Sequence, residues 1–403
     1  MSGEPAALAT PEPLVGPGAR LRLFYFLYYA GVGVTLPYFS LYLQGLGLDG
    51  RQIGLLQMLQ PLLAAPAGLL WAAAADRMRA ANRALAISAF AVAAAYATLP
   101  LARGAWGVAG VMIALGLAGP ALVPLIDGLA VEWTRRQPTE SYTRTRLFGS
   151  LGYVAAAQGL GLWLWMRGER PADPLVPAAL LAASAGLALV SLGLPAAPLA
   201  ERATSLRAAL GLLRNKRLVL ILIMCALHWM GCAPYNVFFG PLAREHGLPD
   251  AAIGLASALG VATEVAVLWM SPALEARFSQ RALFATSFAI TALRWALVGS
   301  VSDPRILVAL QVLHGATFGL FWATVVRALR DEVPHELRAT GQALFGAVAF
   351  QLASAIANPI AGAAFDRAGH AAPLFTGAGV LELIALALAL LSPRAQRPGA
   401  AAG

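Results

Sequence analysis

The sequence is poor in charged and in sulfur-bearing residues. Charged side chains make up only 12% of the 403 residues and hydrophobic ones 59%, with a mean hydropathy of +0.68. No soluble class of protein has this composition. The only two cysteines, Cys225 and Cys232, fall in one predicted helix at a spacing beyond disulfide reach. We therefore expect an integral membrane protein without a disulfide framework.

Motifs for chemistry are also missing. The sequence has no nucleotide-binding P-loop and no Cys/His cluster at metal-ligand spacing. The first 19 residues have no base before Arg20, so they lack the positive region of a signal peptide and are predicted to be a disordered tail. The expectation is a protein that is not an enzyme and has no cofactor or bound metal. Its energy would come from a proton or ion gradient, or from the gradient of its own solute.

Long apolar runs, such as Leu175–Leu194 and Leu383–Leu391, indicate membrane-spanning helices. A β-barrel would instead show alternating strands of about ten residues. A crossing needs about 20 apolar residues, so twelve crossings fit this length. The predicted fold class is an all-α membrane protein with spans at 21–43, 53–75, 83–101, 105–131, 147–167, 174–194, 218–243, 251–274, 282–299, 305–329, 339–365 and 372–392.

The basic residues predict the orientation of these spans. With the N-terminus inside, 21 of the 29 Lys and Arg residues fall in cytoplasmic segments, seven fall outside, and Arg294 lies within a span. This bias follows the positive-inside rule and places both termini in the cytoplasm, in a bacterial inner membrane. The net charge of +9 is therefore explained by topology and does not predict a nucleic-acid partner.

The two halves of the sequence share short matches in the same order. Pro37-Tyr38 recurs as Pro234-Tyr235, Ile53-Gly54-Leu55 as Ile253-Gly254-Leu255, and Leu147-Phe148-Gly149 as Leu344-Phe345-Gly346, at offsets of 197 to 200. Two six-helix bundles in pseudo-symmetry, with the site between them, are typical of transporters. The predicted segments are a tail (1–19), the first bundle (20–194), a cytoplasmic linker with an amphipathic helix (195–217), the second bundle (218–392) and a tail (393–403).

The loop after span 2 resembles a motif of the major facilitator superfamily, G-x-x-x-D-R-x-G-R-R. Asp76 and Arg77 match its acid and base, while Ala72 and Arg79 replace its glycines. The corresponding loop of the second half carries Glu275 and Arg277. The resemblance implies the major facilitator fold and a charged latch at the cytoplasmic helix ends.

Three further stretches, Pro120–Trp133, Arg144–Val154 and Leu310–Gly319, resemble the branch of that superfamily that contains phenylpropionate permease and lactose permease. That resemblance implies that Asp127 and Arg146 grip the solute and that Tyr153 stacks on it. It places Arg294 and His314 in a proton-coupling cluster. Thr317 and Gln311 depart from the pattern, because lactose permease has its proton-carrying acid and a basic residue at those positions.

Ionisable side chains within a span cost at least about 2.5 kcal/mol each, so they are candidates for function. Glu264 lies near the middle of span 8, and with Thr317 at the usual acid position it would have to carry the proton. Tyr38 and Asn236 are predicted to line the substrate site. Two structural alternatives stay open: an ion pair of Asp127 and Arg146 that only fixes spans 4 and 5, and a packed His314. The sequence gives no role to Glu382 in span 12.

The leading hypothesis is a proton-coupled symporter of a small organic solute, with an aromatic or other carboxylic acid ahead of a sugar or nucleoside. The alternatives are a proton-antiporting exporter of drugs or secondary metabolites, and a non-transporting membrane receptor or scaffold. The expected partners are the solute, protons and membrane lipid, and the protein is expected to act as a monomer.

Overall fold

The computed structural model describes residues 16–137, 140–195 and 206–392. Within these ranges all regular secondary structure is helical, as the composition predicts. The predicted C-terminal tail, most of the predicted N-terminal tail and the first half of the predicted linker lie outside the described residues.

Eleven helices in the described residues are long and apolar enough to cross a membrane, and a twelfth apolar helix, Leu175–Ser191, is shorter. The twelve helices are α1 (Pro17–Gly45), α2 (Gly50–Met78), α3 (Ala81–Leu101), α4 (Gly104–Arg136), α5 (Tyr142–Met166), α6 (Leu175–Ser191), α7 (Lys216–Glu245), α8 (Asp250–Arg277), α9 (Gln280–Ser300), α10 (Pro304–Glu332), α11 (His335–Ala368) and α12 (Ala372–Leu391). A short helix, Leu206–Leu212, precedes α7 in the predicted linker.

Local chemistry explains where several of these helices begin. The Asp49 side chain accepts the Gln52 N–H and Gln52 reaches back, a capping box that starts α2. Asn215 and Ser279 cap α7 and α9 in the simpler way. The turns before α2 and α8 pass through Gly47 and Gly247, both with positive φ (82° and 75°), a conformation that glycine adopts without a steric penalty.

The same packing pattern occurs in both halves of the described chain. In the first half α1 packs on α5 and α6, α3 on α6, and α2 on α4. In the second half α7 packs on α11 and α12, α9 on α12, and α8 on α10. The halves meet chiefly where α2 packs on α11 and α5 on α8, two contacts related by the same pseudo-symmetry. This arrangement is the one that the sequence matches predict.

Three membrane helices depart from α-helical geometry where they face the centre. A 3₁₀ turn at Gly119–Ala121 interrupts α4. Segments of π-helix occur at Gly315–Leu320 in α10 and at Gly346–Leu352 in α11. Such segments often occur at functional sites, because they free backbone groups and reorient side chains. Their position next to the centre directs attention to the space between the halves.

Candidate functional site

A cavity of about 720 Å³ lies between the two halves. Its lining is rich in aromatic rings, among them Tyr29, Tyr153, Trp229, Tyr235 and Phe318. The side-chain amides of Gln57, Gln60, Asn236, Gln351 and Asn358 add hydrogen-bonding groups. Among the described lining residues the ionisable carboxyl and imidazole groups are those of Glu264 and His314. A largely apolar space with a few polar groups is typical of a small-molecule site.

One end of this cavity is closed by contacts between backbones. A Cβ atom on Gly54 in α2 would lie against the carbonyl of Asn358 in α11, and one on Gly161 in α5 would meet the Tyr38 hydroxyl and the Asp250 carbonyl. The Tyr38 hydroxyl donates to the carbonyl of Ala157 at 2.7 Å. We call this region the closed end. Among the described residues, the hydrogen bonds that join the first half (α1–α6) to the second half (α7–α12) all lie at the closed end.

Two carboxylates cap helix N-termini across the closed end. Asp366, at the end of α11, accepts the backbone N–H groups of Gly50 and Arg51 at 2.7 and 2.8 Å, at the start of α2. Glu169, after α5, accepts the N–H of Asp250 at 2.7 Å, at the start of α8. A carboxylate is favourable at a helix N-terminus because free N–H groups and the helix dipole point toward it. Each half therefore holds a helix start of the other half, at pseudo-symmetric positions.

Asp127 and Arg146 form an ion pair away from the closed end. Arg146 Nη1 donates to Asp127 Oδ1 at 2.9 Å, and the two side chains are 37% and 29% exposed. The Tyr25 hydroxyl donates to the same carboxylate oxygen at 2.6 Å. Arg146 Nη2 donates to the hydroxyl of Tyr29, which lines the cavity, at 3.0 Å. The predicted pair therefore forms, and it lies one side chain behind the cavity wall.

The predicted proton-coupling residues are only partly together. His314 Nε2 lies 3.6 Å from Glu264 Oε2, and the imidazole stacks on Phe318 with ring centres 4.3 Å apart. Arg294 is fully buried and donates to Gln311 Oε1 at 2.8 Å, with its guanidinium 4.5 Å from the centre of the Tyr235 ring. No carboxylate of the described residues lies within ion-pair distance of Arg294, and its Nε and Nη1 have no hydrogen-bond acceptor. The predicted Glu264–Arg294 neighbourhood is thus replaced by a Glu264–His314 contact, with Arg294 behind Tyr235.

Sequence reasoning missed a second ionisable pair. His228 Nδ1 lies 2.9 Å from Glu382 Oε2, and both side chains are 0% exposed. Cys232 completes a group of three potential metal ligands. These residues do not fit a metal centre, because Nδ1 faces Glu382 whereas Cys232 Sγ lies 3.7 Å from Nε2, so the ring presents different nitrogens to its two neighbours. Glu382 and His228 were each visible as ionisable groups in a span, but no sequence signal paired them.

The remaining predicted residues divide into two groups. Tyr153 and Asn236 line the cavity as expected. Tyr38 is buried in the closed end, so its predicted place in the cavity wall is corrected to a place in that barrier. Of the predicted latch residues, Asp76, Arg77 and Arg277 are exposed at the opposite end, and Glu275 accepts from Arg330 at 3.4 Å.

Known proteins that are similar to this chain are membrane transporters. A family model described as the MFS_1 like family matches residues 19–376. The curated "Probable 3-phenylpropionic acid transporter" of Escherichia coli (strain K12) is 30% identical, with 93% of this chain and 97% of the relative covered. The "Maltose permease" of Geobacillus stearothermophilus is 29% identical over 91% of this chain and 93% of its own length.

Among solved structures, that of the nucleoside transporter NupG matches with a TM-score of 0.80 at 18% identity. It covers 93% of this chain and 98% of the NupG chain. At this identity the match shows the fold alone.

Proposed function

Because the chain belongs to the MFS_1 like family of the major facilitator superfamily, we propose that it is a secondary transporter that carries a small aromatic acid together with a proton. The observation that carries this proposal is the Glu264–His314 pair facing an aromatic cavity that is closed at one end. A partly exposed carboxyl group beside an imidazole within a membrane helix can bind and release a proton as the site opens to one side or the other.

The wall chemistry favours a solute with a flat ring. The side chains of Tyr153, Trp229, Tyr235 and Phe318 surround the cavity from both halves. Aromatic pairs contribute about 0.5–1.5 kcal/mol beyond the burial of their area. A solute of this class is also the one named for the relative that is 30% identical.

Glu264, the one carboxylate among the described residues that line the cavity, gives a physical reason for coupling. Two unit negative charges about 6 Å apart repel by about 3 kcal/mol at an effective dielectric constant of 20, which lowers affinity by about 100-fold. An anionic solute would therefore bind when Glu264 is protonated and leave when Glu264 loses its proton. Solute and proton would then cross the membrane together.

Arg146 supplies the cation that a carboxylate solute needs. In the structure its guanidinium is shared between Asp127 and Tyr29. A solute carboxylate that enters beside Tyr29 could take over part of this bonding, since a guanidinium binds two oxygens at once. The ion pair would then keep the empty site neutral. If the pair only fixes α4 against α5, the solute would not depend on Arg146.

Alternating access completes the proposal. With the predicted cytoplasmic termini, the closed end faces the periplasm and the cavity opens toward the cytoplasm. Rocking of the halves about the α2–α11 and α5–α8 contacts would break the two carboxylate caps and open the other side.

The experiment is uptake of radiolabelled 3-phenylpropionate into proteoliposomes under an inward proton gradient. We expect the wild type to accumulate the solute, and Glu264→Gln to lose accumulation but to retain exchange. Arg146→Gln should lose affinity by at least tenfold, because a hydrogen bond to a charged group contributes about 1.5–3 kcal/mol. Arg144→Gln is the matched control, since Arg144 is exposed two residues away. Accumulation that is unchanged in Glu264→Gln would refute the coupling role, and movement only outward would favour the exporter.

A sugar is the second candidate, because five side-chain amides line the cavity and the maltose permease is 29% identical. Amide groups suit hydroxyl-rich solutes, to which they can donate and accept. Labelled maltose in the same liposomes separates the two classes: a sugar transporter would accumulate maltose, and Arg146→Gln would leave uptake of this uncharged solute comparatively little changed.

A further inference from the structure

The buried pair of His228 and Glu382 lies outside the cavity and has no part in the function proposed above. His228 is in α7 and Glu382 in α12, and both side chains are fully buried. The imidazole packs against the rings of Phe321 and Phe288, with ring centres 4.0 and 5.6 Å away. Replacing a buried ion pair by apolar residues is often neutral or stabilising, so stability alone is a weak reason for such a pair in a membrane helix.

The hydrogen bonds around His228 show that the pair holds an extra proton. Nε2 lies 3.0 Å from the carbonyl of Thr317, which can only accept, so Nε2 carries a hydrogen. Nδ1 lies 2.9 Å from Glu382 Oε2, and this contact needs one proton, either on the ring or on the carboxyl group. Without it a lone pair would face a carboxylate. The pair is therefore neutral overall and would become −1 on releasing that proton.

A compensating charge is close to the pair. Besides the pair itself, the ionisable groups at this cluster are the Cys232 thiol of α7, beside His228, and the Arg294 guanidinium of α9, which is close to that thiol. In the described residues no carboxylate lies within ion-pair distance of Arg294, whose guanidinium lies over the Tyr235 ring. The Glu382 carboxyl group lies within hydrogen-bonding reach of the Trp295 indole. Proton release would let the anionic pair balance this buried cation.

The pair is also linked to the cavity through two neighbouring residues. Thr317 belongs to the π-helical segment Gly315–Leu320, and the next residue, Phe318, lines the cavity and stacks on His314. Trp229 follows His228 in α7, also lines the cavity, and contacts Phe318 with ring centres 5.8 Å apart. Trp229 and Phe318 thus connect the cavity directly to the residues that carry the His228 ring and the Thr317 carbonyl.

We propose that His228 and Glu382 form a second proton-binding site of the transport cycle, controlled by the π-helical segment of α10. The inference rests on the proposed proton coupling for its transport role. When the Thr317 carbonyl moves away and water reaches the pair, one proton passes from the Nδ1–Oε2 contact to water, and Arg294 balances the remaining charge. The reverse step reloads the proton in the other state.

Infrared spectroscopy of the protein in lipid tests the site without any solute. We expect a carboxyl band that disappears in Glu382→Gln and persists in Glu264→Gln. This band should respond to pH in the folded protein, and its group should exchange hydrogen for deuterium much faster than the amides of the buried helices. Glu132→Gln, which removes a carboxylate at the end of α4 paired with Arg135 and Arg136, is the control for an ordinary surface band. A Glu382 band that does not respond to pH, and that exchanges only on unfolding, would overturn the proposal in favour of a structural pair.

Transport by a variant whose two side chains cannot ionise gives the second readout. The double variant His228→Gln/Glu382→Gln keeps polar groups in place without a buried charge, so it remains informative if Glu382→Gln alone misfolds. We expect it to exchange 3-phenylpropionate or maltose but to accumulate neither above the level without a gradient. His246→Gln, at the residue that follows α7 and whose ring bonds to the Leu242 carbonyl, should behave as wild type. Full accumulation by the double variant would overturn the site. A wild type without proton-driven uptake would refute the proposed function instead, and the infrared result would still decide whether the pair exchanges its proton.

Discussion

Removing the charge of the two carboxylate caps should open the closed end. Asp366→Asn and Glu169→Gln keep the shape of the side chains that accept from Gly50, Arg51 and Asp250. A carboxylate at a helix N-terminus contributes about 0.3–1 kcal/mol at exposed positions, and charge-assisted bonds are stronger than neutral ones. Because Asp366 is exposed and Glu169 half-buried, we assign about 1 kcal/mol to each cap.

The two caps connect different helix pairs, so their effects should add. Each single variant would shift the ratio of open to closed molecules by about fivefold, and the double variant by about 30-fold. An open population of about 1% in the wild type would then rise to about a fifth in the double variant.

Pulsed electron paramagnetic resonance measures this change as a distance across the closed end. Arg170→Cys and His370→Cys place spin labels on exposed positions of the two halves. The native Cys225 and Cys232 are buried, so a polar label should not react with them. We expect a longer-distance component that grows in the order wild type, single variants, double variant.

Asp303→Asn is the matched control. Asp303 caps α10 by accepting the Arg305 N–H at 2.8 Å, within the second half alone, so its loss should leave the distance unchanged. An unchanged distance in the double variant, or an equal change in Asp303→Asn, would refute the assignment of the caps as a latch between the halves.

Three further predictions follow from particular contacts. Gly161→Val should prevent tight closure and abolish accumulation, since its Cβ would meet the Tyr38 hydroxyl and Asp250 carbonyl. Gly159→Val, with open space at its Cβ, should transport normally. Equal uptake by the two variants would contradict the packing argument. Tyr38→Phe removes the hydroxyl contact with the Asp250 carbonyl of the other half, at 3.2 Å. The loss of about 1 kcal/mol for one hydrogen bond should raise the open population by about fivefold in the spin-label assay, and no change would mean that this bond does not hold the end closed. Arg294→Met should raise the melting temperature in a thermal-shift assay while accumulation is lost, because a buried charge without a carboxylate partner is costly; a lower melting temperature would show that the Tyr235 and Trp295 rings compensate that charge.

The fold was largely predictable because its signal is local. Each crossing needs a run of apolar residues, and such runs are read directly along the chain. The short matches between the halves predicted the repeat, and the symmetric packing of α1–α6 and α7–α12 agrees with it. The Asp127–Arg146 pair was also predictable, through the resemblance of Pro120–Trp133 and Arg144–Val154 to a known branch of the family.

The site was predictable only as a set of candidates. Ionisable residues in apolar runs identified Glu264, Arg294, His314 and Glu382, since each is costly there. The direction in which a side chain leaves its helix depends on rotation and on local breaks such as the π-helical segments, and neither was read from the sequence. For this reason Arg294 lies behind Tyr235 rather than beside Glu264, and Tyr38 lies in the closed end.

The sequence by itself determined the membrane class, the helices, the repeat and a short set of ionisable groups. Tertiary structure alone decided which of them meet: His228 with Glu382 across 154 positions, Glu169 with Asp250 across 81, and Asp366 with Gly50 across 316. A continuous apolar run specifies that a helix crosses the lipid, but hydrogen bonds between helices depend on how whole bundles pack. The caps and the buried pair belong to that second level.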